Sequence, residues 1–150
     1  MESAEDLVAA YKATNSKIFK ADLDKEDEVI TLFDTVKKEF DGIDVVILNA
    51  GVAISHSINE NPQDWYTVWK KTININLNSV GLLTKLGIDH FKEQKGGRLI
   101  YIGSRAAFRG ETEDYLAYAA SKGGLTSLAR SVARSFGKEN IKSFVIAPGF

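Results

Sequence analysis

DVVILNAG, residues 44–51, runs four apolar residues without interruption into a cluster of small, turn-forming ones. A half-buried strand alternates apolar and polar residues, so an uninterrupted short run marks a strand covered on both faces, as in a parallel sheet flanked by helices. Two further stretches share this form. GRLIYIGS, around Leu99 to Ile102, ends in Gly103-Ser104, and KSFVIAPG, around Phe144 to Ala147, ends in Pro148-Gly149. A fourth, weaker strand is expected in SKIFKADL, near Lys17 to Ala21.

Helical periodicity fills the intervals. In DKEDEVITLFDTVKKEF, the residues Val29, Phe33, Val36 and Phe40 fall at i, i+4, i+7 and i+11, the spacing of one buried stripe. Asp24 is expected to cap this helix, with acids in its first turn and lysines near its end, as the helix dipole favours. The stretch from about Asp64 to Gln94 predicts one long or two consecutive helices. Tyr118 to Phe136 predicts another, with Leu125, Leu128, Val132 and Phe136 on its stripe, and MESAEDLVAAYKA a short opening one. Strands alternating with helices give an α/β fold with a parallel sheet. In such sheets the working site lies outside the carboxyl ends of the strands. The NAG, GS and PG clusters all fall at that end.

Composition narrows the function classes. A chain of 150 residues, 44% hydrophobic and 26% charged, fits a single globular domain over 1–150. The net charge is −1 without any basic block, which gives no electrostatic case for nucleic acid or an anionic membrane. With no cysteine, disulfides and thiolate metal sites are excluded. His56 and His90 are too scattered to hold a metal. No apolar run approaches the roughly 20 residues needed to span a bilayer, and the first residues are acidic where a secretory signal is basic. A soluble, cytoplasmic protein is expected.

YAASK, residues 118–122, sets Tyr118 and Lys122 four positions apart, on one face of a helix. YTVWK repeats that spacing with Tyr66 and Lys70. Only the first pair follows a serine-ended strand and precedes APG, so the second is read as surface and packing residues.

Taken together, NAG at Asn49 to Gly51, INLNSVG with Asn76, Ser104 at a strand end, YAASK, and APG at Ala147 to Gly149 resemble the short-chain dehydrogenase/reductase family, of the classical type. SRAAFRGE and SKGGLTSLARSVAR look most like its 3-oxoacyl-carrier-protein reductase branch. The resemblance runs from about Lys17 to the last residue. It implies a doubly wound, Rossmann-like parallel sheet and an oxidoreductase that moves a hydride between NAD(P)(H) and a carbonyl/alcohol pair, 3-oxoacyl-carrier-protein reduction among the candidates. It further implies that Tyr118 is the acid/base, that Ser104 steadies the carbonyl, that Lys122 also bonds the nicotinamide ribose, and that Asn76 holds a proton-relaying water. Cofactor contacts are implied at Asp22 with Leu23, at Asn49, Ala50 and Gly51, at Tyr118 and Lys122, and at Pro148 and Gly149. The residues do not distinguish NAD from NADP beyond a slight lean to NADP. The expected partners are a small-molecule or acyl-carrier carbonyl substrate and further copies of the chain, as a homodimer or homotetramer formed through the two long helices.

The chemistry explains the set. Carbonyl reduction leaves developing negative charge on oxygen, which needs a proton. A phenol supplies one, and an ammonium within about 4 to 6 Å of a phenol favours its ionised form. A hydroxyl donor beside the carbonyl oxygen stabilises the developing charge. Arg105 and Arg109, after Ser104, are candidates for substrate contact, with exposed loop charge the preferred reading.

The family's first strand, glycine-rich turn, first helix and second strand have no counterpart in 1–150, nor does its final strand. Those residues are therefore expected to be the middle of a longer enzyme that alone binds dinucleotide poorly. The alternative of a different class is a non-catalytic remnant of the fold, serving as a scaffold or partner-binding module.

Overall fold

Three of the four strand-like stretches pair. The computed structural model describes residues 16–149, and in it Val45–Leu48 (β1), Gly97–Ile102 (β2) and Ile141–Ile146 (β3) form a parallel sheet in the order β1-β2-β3. The register sets Ile47 beside Ile100 and Ile100 beside Phe144. Between the strands run Glu26–Glu39 (α1), Pro62–Ile73 (α2), a π-helical turn at Asn74–Asn78, Ser79–Glu93 (α3), Ala106–Arg109 (α4) and Leu116–Phe136 (α5). Short 3-10 turns occupy Glu113–Tyr115 and Gly137–Glu139. The expected opening helix lies outside the described residues.

Local chemistry accounts for the helix ends. In α1, Glu26, Asp27 and Glu28 fill the first turn and Lys37 and Lys38 the last, matching the dipole. Asp24 does not cap it, contrary to the sequence reading: Lys25 holds the cap position and no side chain caps there. The chain is already folded on itself before the helix, with Asp22 Oδ1 accepting from the Asp24 amide at 3.1 Å and Glu28 accepting from the Asp22 amide at 2.7 Å. Asp24 instead accepts from Asn74 Nδ2 at 3.0 Å. In α2, Asn61 caps by accepting from the Asp64 amide, and Pro62 opens the first turn, where its missing N–H costs nothing.

The core lies on one face of the sheet. Leu99, Tyr101 and Ile141 are fully buried there with Phe91 of α3 and Leu125, Ala129 and Val132 of α5. The Tyr101 hydroxyl meets Thr84 Oγ1 at 3.0 Å, which satisfies a phenol that would otherwise be stranded. Gly87 lets α3 approach, since a Cβ there would stand 3.3 Å from Leu99.

Two expectations are corrected. Residues 17–21 form no strand; an extended segment without a neighbour gains no ladder hydrogen bonds, and this one is held by a Lys17–Glu39 ion pair and by Phe19 set edge-on to Phe40 at 6.3 Å. The strands are also not covered on both faces within the described residues: Ile47, Phe144 and Ile146 are 61%, 50% and 52% exposed. Their apolar character is that of a surface meant to be covered.

Candidate active site

The small clusters that end β1, β2 and β3 converge on one cavity of about 560 Å³. The chain delivers three chemical groups to it. Ser104 lies two residues beyond the end of β2, while Tyr118 and Lys122 stand one turn apart near the start of α5. The Ala106 amide donates to Ser104 Oγ at 3.1 Å. That bond occupies a lone pair and orients the hydroxyl, whose hydrogen is then the group to offer a substrate oxygen.

Lys122 is 4% exposed, and its Nζ donates to the Ile102 carbonyl at 2.7 Å. Burial holds its ammonium below the ordinary lysine range, because desolvation penalises the charged form. Its Nζ lies 5.8 Å from the centre of the Tyr118 ring. The second Tyr/Lys pair shows the same geometry, with Lys70 Nζ 5.2 Å from the Tyr66 ring centre. What separates the pairs is environment: Tyr66 is 53% exposed, and neither member lines the cavity.

Asn76 sits in the π-helical turn between α2 and α3, fully buried. Its side chain is wholly engaged. Oδ1 accepts from the Val52 amide at 2.8 Å, and Nδ2 donates to the Val52 carbonyl at 2.8 Å and to Ser121 Oγ at 3.1 Å. Ser121 in turn donates to the Tyr118 carbonyl at 2.7 Å. Asn76 thus ties the loop after β1 to the helix carrying Tyr118 and Lys122. The sequence reading missed Ser121, whose signal was its place beside Lys122 on the small-residue face of YAASK.

Of the residues assigned to a cofactor, Asn49, Gly51, Tyr118, Lys122, Pro148 and Gly149 line this cavity with Ser104. Ala50 and Leu23 line a separate apolar cleft along β1 and α1. Asp22 lines neither, and its carboxylate is taken up by the turn before α1. Gly51 tests the fit to a bound group: a Cβ there would stand 3.4 Å from Asn76 Oδ1 and 3.5 Å from Lys122 Nζ. The bare glycine leaves that ammonium accessible from the cavity, as a ligand hydroxyl would require. Arg105 and Arg109, both exposed as the sequence reading has them, also line the cavity, together with Glu111 and Tyr115. Among the described residues no group of three or more histidine, aspartate or glutamate side chains could hold a metal, and no helix is long and apolar enough to cross a membrane.

The family model described as short chain dehydrogenase matches residues 1–150. A 2-dehydro-3-deoxy-D-gluconate 5-dehydrogenase of Escherichia coli (strain K12) is 34% identical over 132 residues, which cover 87% of this chain and 50% of that protein. A 3-oxoacyl-acyl-carrier-protein reductase of Buchnera aphidicola is 33% identical over 144 residues, covering 95% of this chain and 57% of its own. The crystal structure of an acetoin dehydrogenase from Salmonella typhimurium has the same fold, with a TM-score of 0.84 at 23% identity over 94% of this chain and 55% of that one. The chain therefore spans about half the length of the curated relatives it matches.

Proposed function

The chain belongs to the short chain dehydrogenase family, and on that premise we propose that residues 1–150 carry the catalytic segment of an oxidoreductase acting on a carbonyl/alcohol pair with NAD or NADP. The observation that supports it is the meeting of Ser104, Tyr118 and Lys122 on one cavity. The cofactor supplies a hydride to the carbonyl carbon when it is bound. Asn49, Gly51, Lys122, Pro148 and Gly149 are the residues that would hold it. As the carbonyl π bond breaks, its electron pair moves to oxygen, and Tyr118 delivers the phenolic proton there. Ser104 donates a hydrogen bond to the same oxygen, where charge grows in the transition state. Lys122, fixed by the Ile102 carbonyl, keeps a positive charge beside the phenolate left behind. In the alcohol-oxidising direction each step reverses and Tyr118 takes the proton.

Relatives named for a 3-oxoacyl thioester and for a sugar acid make those two carbonyl classes the first substrates to assay. The deciding experiment uses the product of the complete reading frame with NADH and NADPH. Tyr118→Phe is expected to lower kcat by about a hundredfold or more, and undiminished carbonyl reduction by that variant would sink the proposal.

A further inference from the structure

Tyr118 is the third residue of α5, and nothing at the start of that helix holds it. The cap position is Tyr115, no side chain caps there, and the first turn carries no acid. An uncapped start leaves backbone donors without partners, and such ends fray. The residue that would give the proton therefore needs an anchor from elsewhere, and Ser121, one turn on, supplies it. Ser121 is fully buried. It stands in a chain of hydrogen bonds that runs from the Val52 backbone through the Asn76 amide and the Ser121 hydroxyl to the Tyr118 carbonyl. Val52 and Tyr118 line the cavity, whereas Asn76 and Ser121 do not, so the chain passes behind the cavity wall and joins two parts of it.

Each bond in this chain has only one possible sense. The Val52 amide can only donate, which fixes Oδ1 of Asn76 and with it Nδ2. Nδ2 can only donate to Ser121 Oγ, and the Tyr118 carbonyl can only accept, so the Ser121 hydrogen points at Tyr118. Buried groups linked in this way polarise one another and hold a single geometry. Lys122 has a separate anchor, the Ile102 carbonyl at the end of β2, 2.7 Å away. Resting on the oxidoreductase reading above, we propose that Ser121 is the positioning residue for proton transfer. Its hydroxyl fixes the turn that carries Tyr118 against the wall at Val52, and so sets where the phenol meets the substrate oxygen. Removing it slackens the proton donor, while Lys122, tied to β2, keeps its hold on the cofactor.

The test uses the product of the complete reading frame. Ser121→Ala removes the hydroxyl and puts the best helix former in its place, so the helix itself is not weakened. This variant is expected to lower kcat by about tenfold or more, because a small misplacement of a reacting group is costly. The KM for NAD(P)H is expected to stay within about twofold of wild type. The solvent deuterium isotope effect on kcat rises above the wild-type value, since the proton step is the one slowed. A smaller folded fraction would lower kcat without moving that ratio. Added to Asn76→Ala, Ser121→Ala causes no further loss of kcat, because both cut one chain. A kcat within about twofold of wild type, an isotope effect that does not rise, or losses that multiply in the double variant overturn the proposal. Those outcomes leave the oxidoreductase reading standing as long as Tyr118→Phe is inactive. If the wild type reduces no carbonyl, that reading fails, and hydrogen exchange reads the link itself. Exchange of the Val52 amide about tenfold or more faster in Ser121→Ala, with Val29 of α1 unchanged, supports the link. Unchanged exchange at Val52 rejects it.

Discussion

Lys122 combines two requirements that oppose each other. Its ammonium would serve the proposed chemistry by standing beside Tyr118 in the cavity wall, and its burial there is costly. Burial lowers its pKa from 10.5. The unfolded chain therefore binds more protons than the folded one below that value, and wild-type stability gains from rising pH as the buried ammonium discharges. Lys122→Met keeps the length and lacks this titration. The unfolding free energy of Lys122→Met minus that of the wild type is expected to fall steadily as pH climbs from neutrality toward 10, read by urea denaturation. Tyr101, pushed up by burial, titrates in both proteins and cancels. A difference that does not change with pH would remove burial as the cause.

At the scale of elements, the π-helical turn at Asn74–Asn78 places the site's central link. Its Ser79 end shows the wider spacing directly, the Ser79 amide bonding the Asn74 carbonyl five residues back. Such turns rotate the residues beyond them relative to an ordinary helix. Here the turn accompanies an Asn76 side chain that is fully buried and engages both Val52 backbone groups. Asn76→Ala leaves that amide and carbonyl unpaired in the interior and is expected to cost about 2 kcal/mol or more by chemical denaturation. A loss below about 0.5 kcal/mol would mean that water replaces the amide at no penalty. The start of β2 makes a second demand. A Cβ on Gly97 would stand 2.2 Å from Cδ1 of the fully buried Phe91. Gly97→Ala is expected to lower stability by about 1–3 kcal/mol, a prediction that a thermal melt matching wild type would refute.

For the whole molecule, the consequential feature is the open side of the sheet. Ile47, Ile100 and Phe144 lie in register across β1, β2 and β3, with Ile102 and Ile146 beside them in the next matching row. A contiguous apolar row that ends on an edge strand invites association. The 150-residue chain expressed by itself is expected to bind the dye ANS and to self-associate in light scattering. Ile47→Lys and Phe144→Lys each reduce both signals without touching the cavity. A wild-type chain that stays monodisperse and dye-free would show that this face is covered.

The sequence by itself determined the α/β class, the three strands and the end of the sheet where the site lies, because apolar runs and helical periods report burial locally. It also distinguished YAASK from YTVWK, through chain order alone. Only the tertiary structure decided that Asn76 is a buried link, because hydrogen-bond partners 24 and 45 residues away cannot be read from spacing. The same limit applies to Arg105 and Arg109, for which the local reading weighs substrate contact against exposed loop charge. Their membership of the cavity follows from where β3 and α5 close beside them, and charge acquires its meaning from the walls around it.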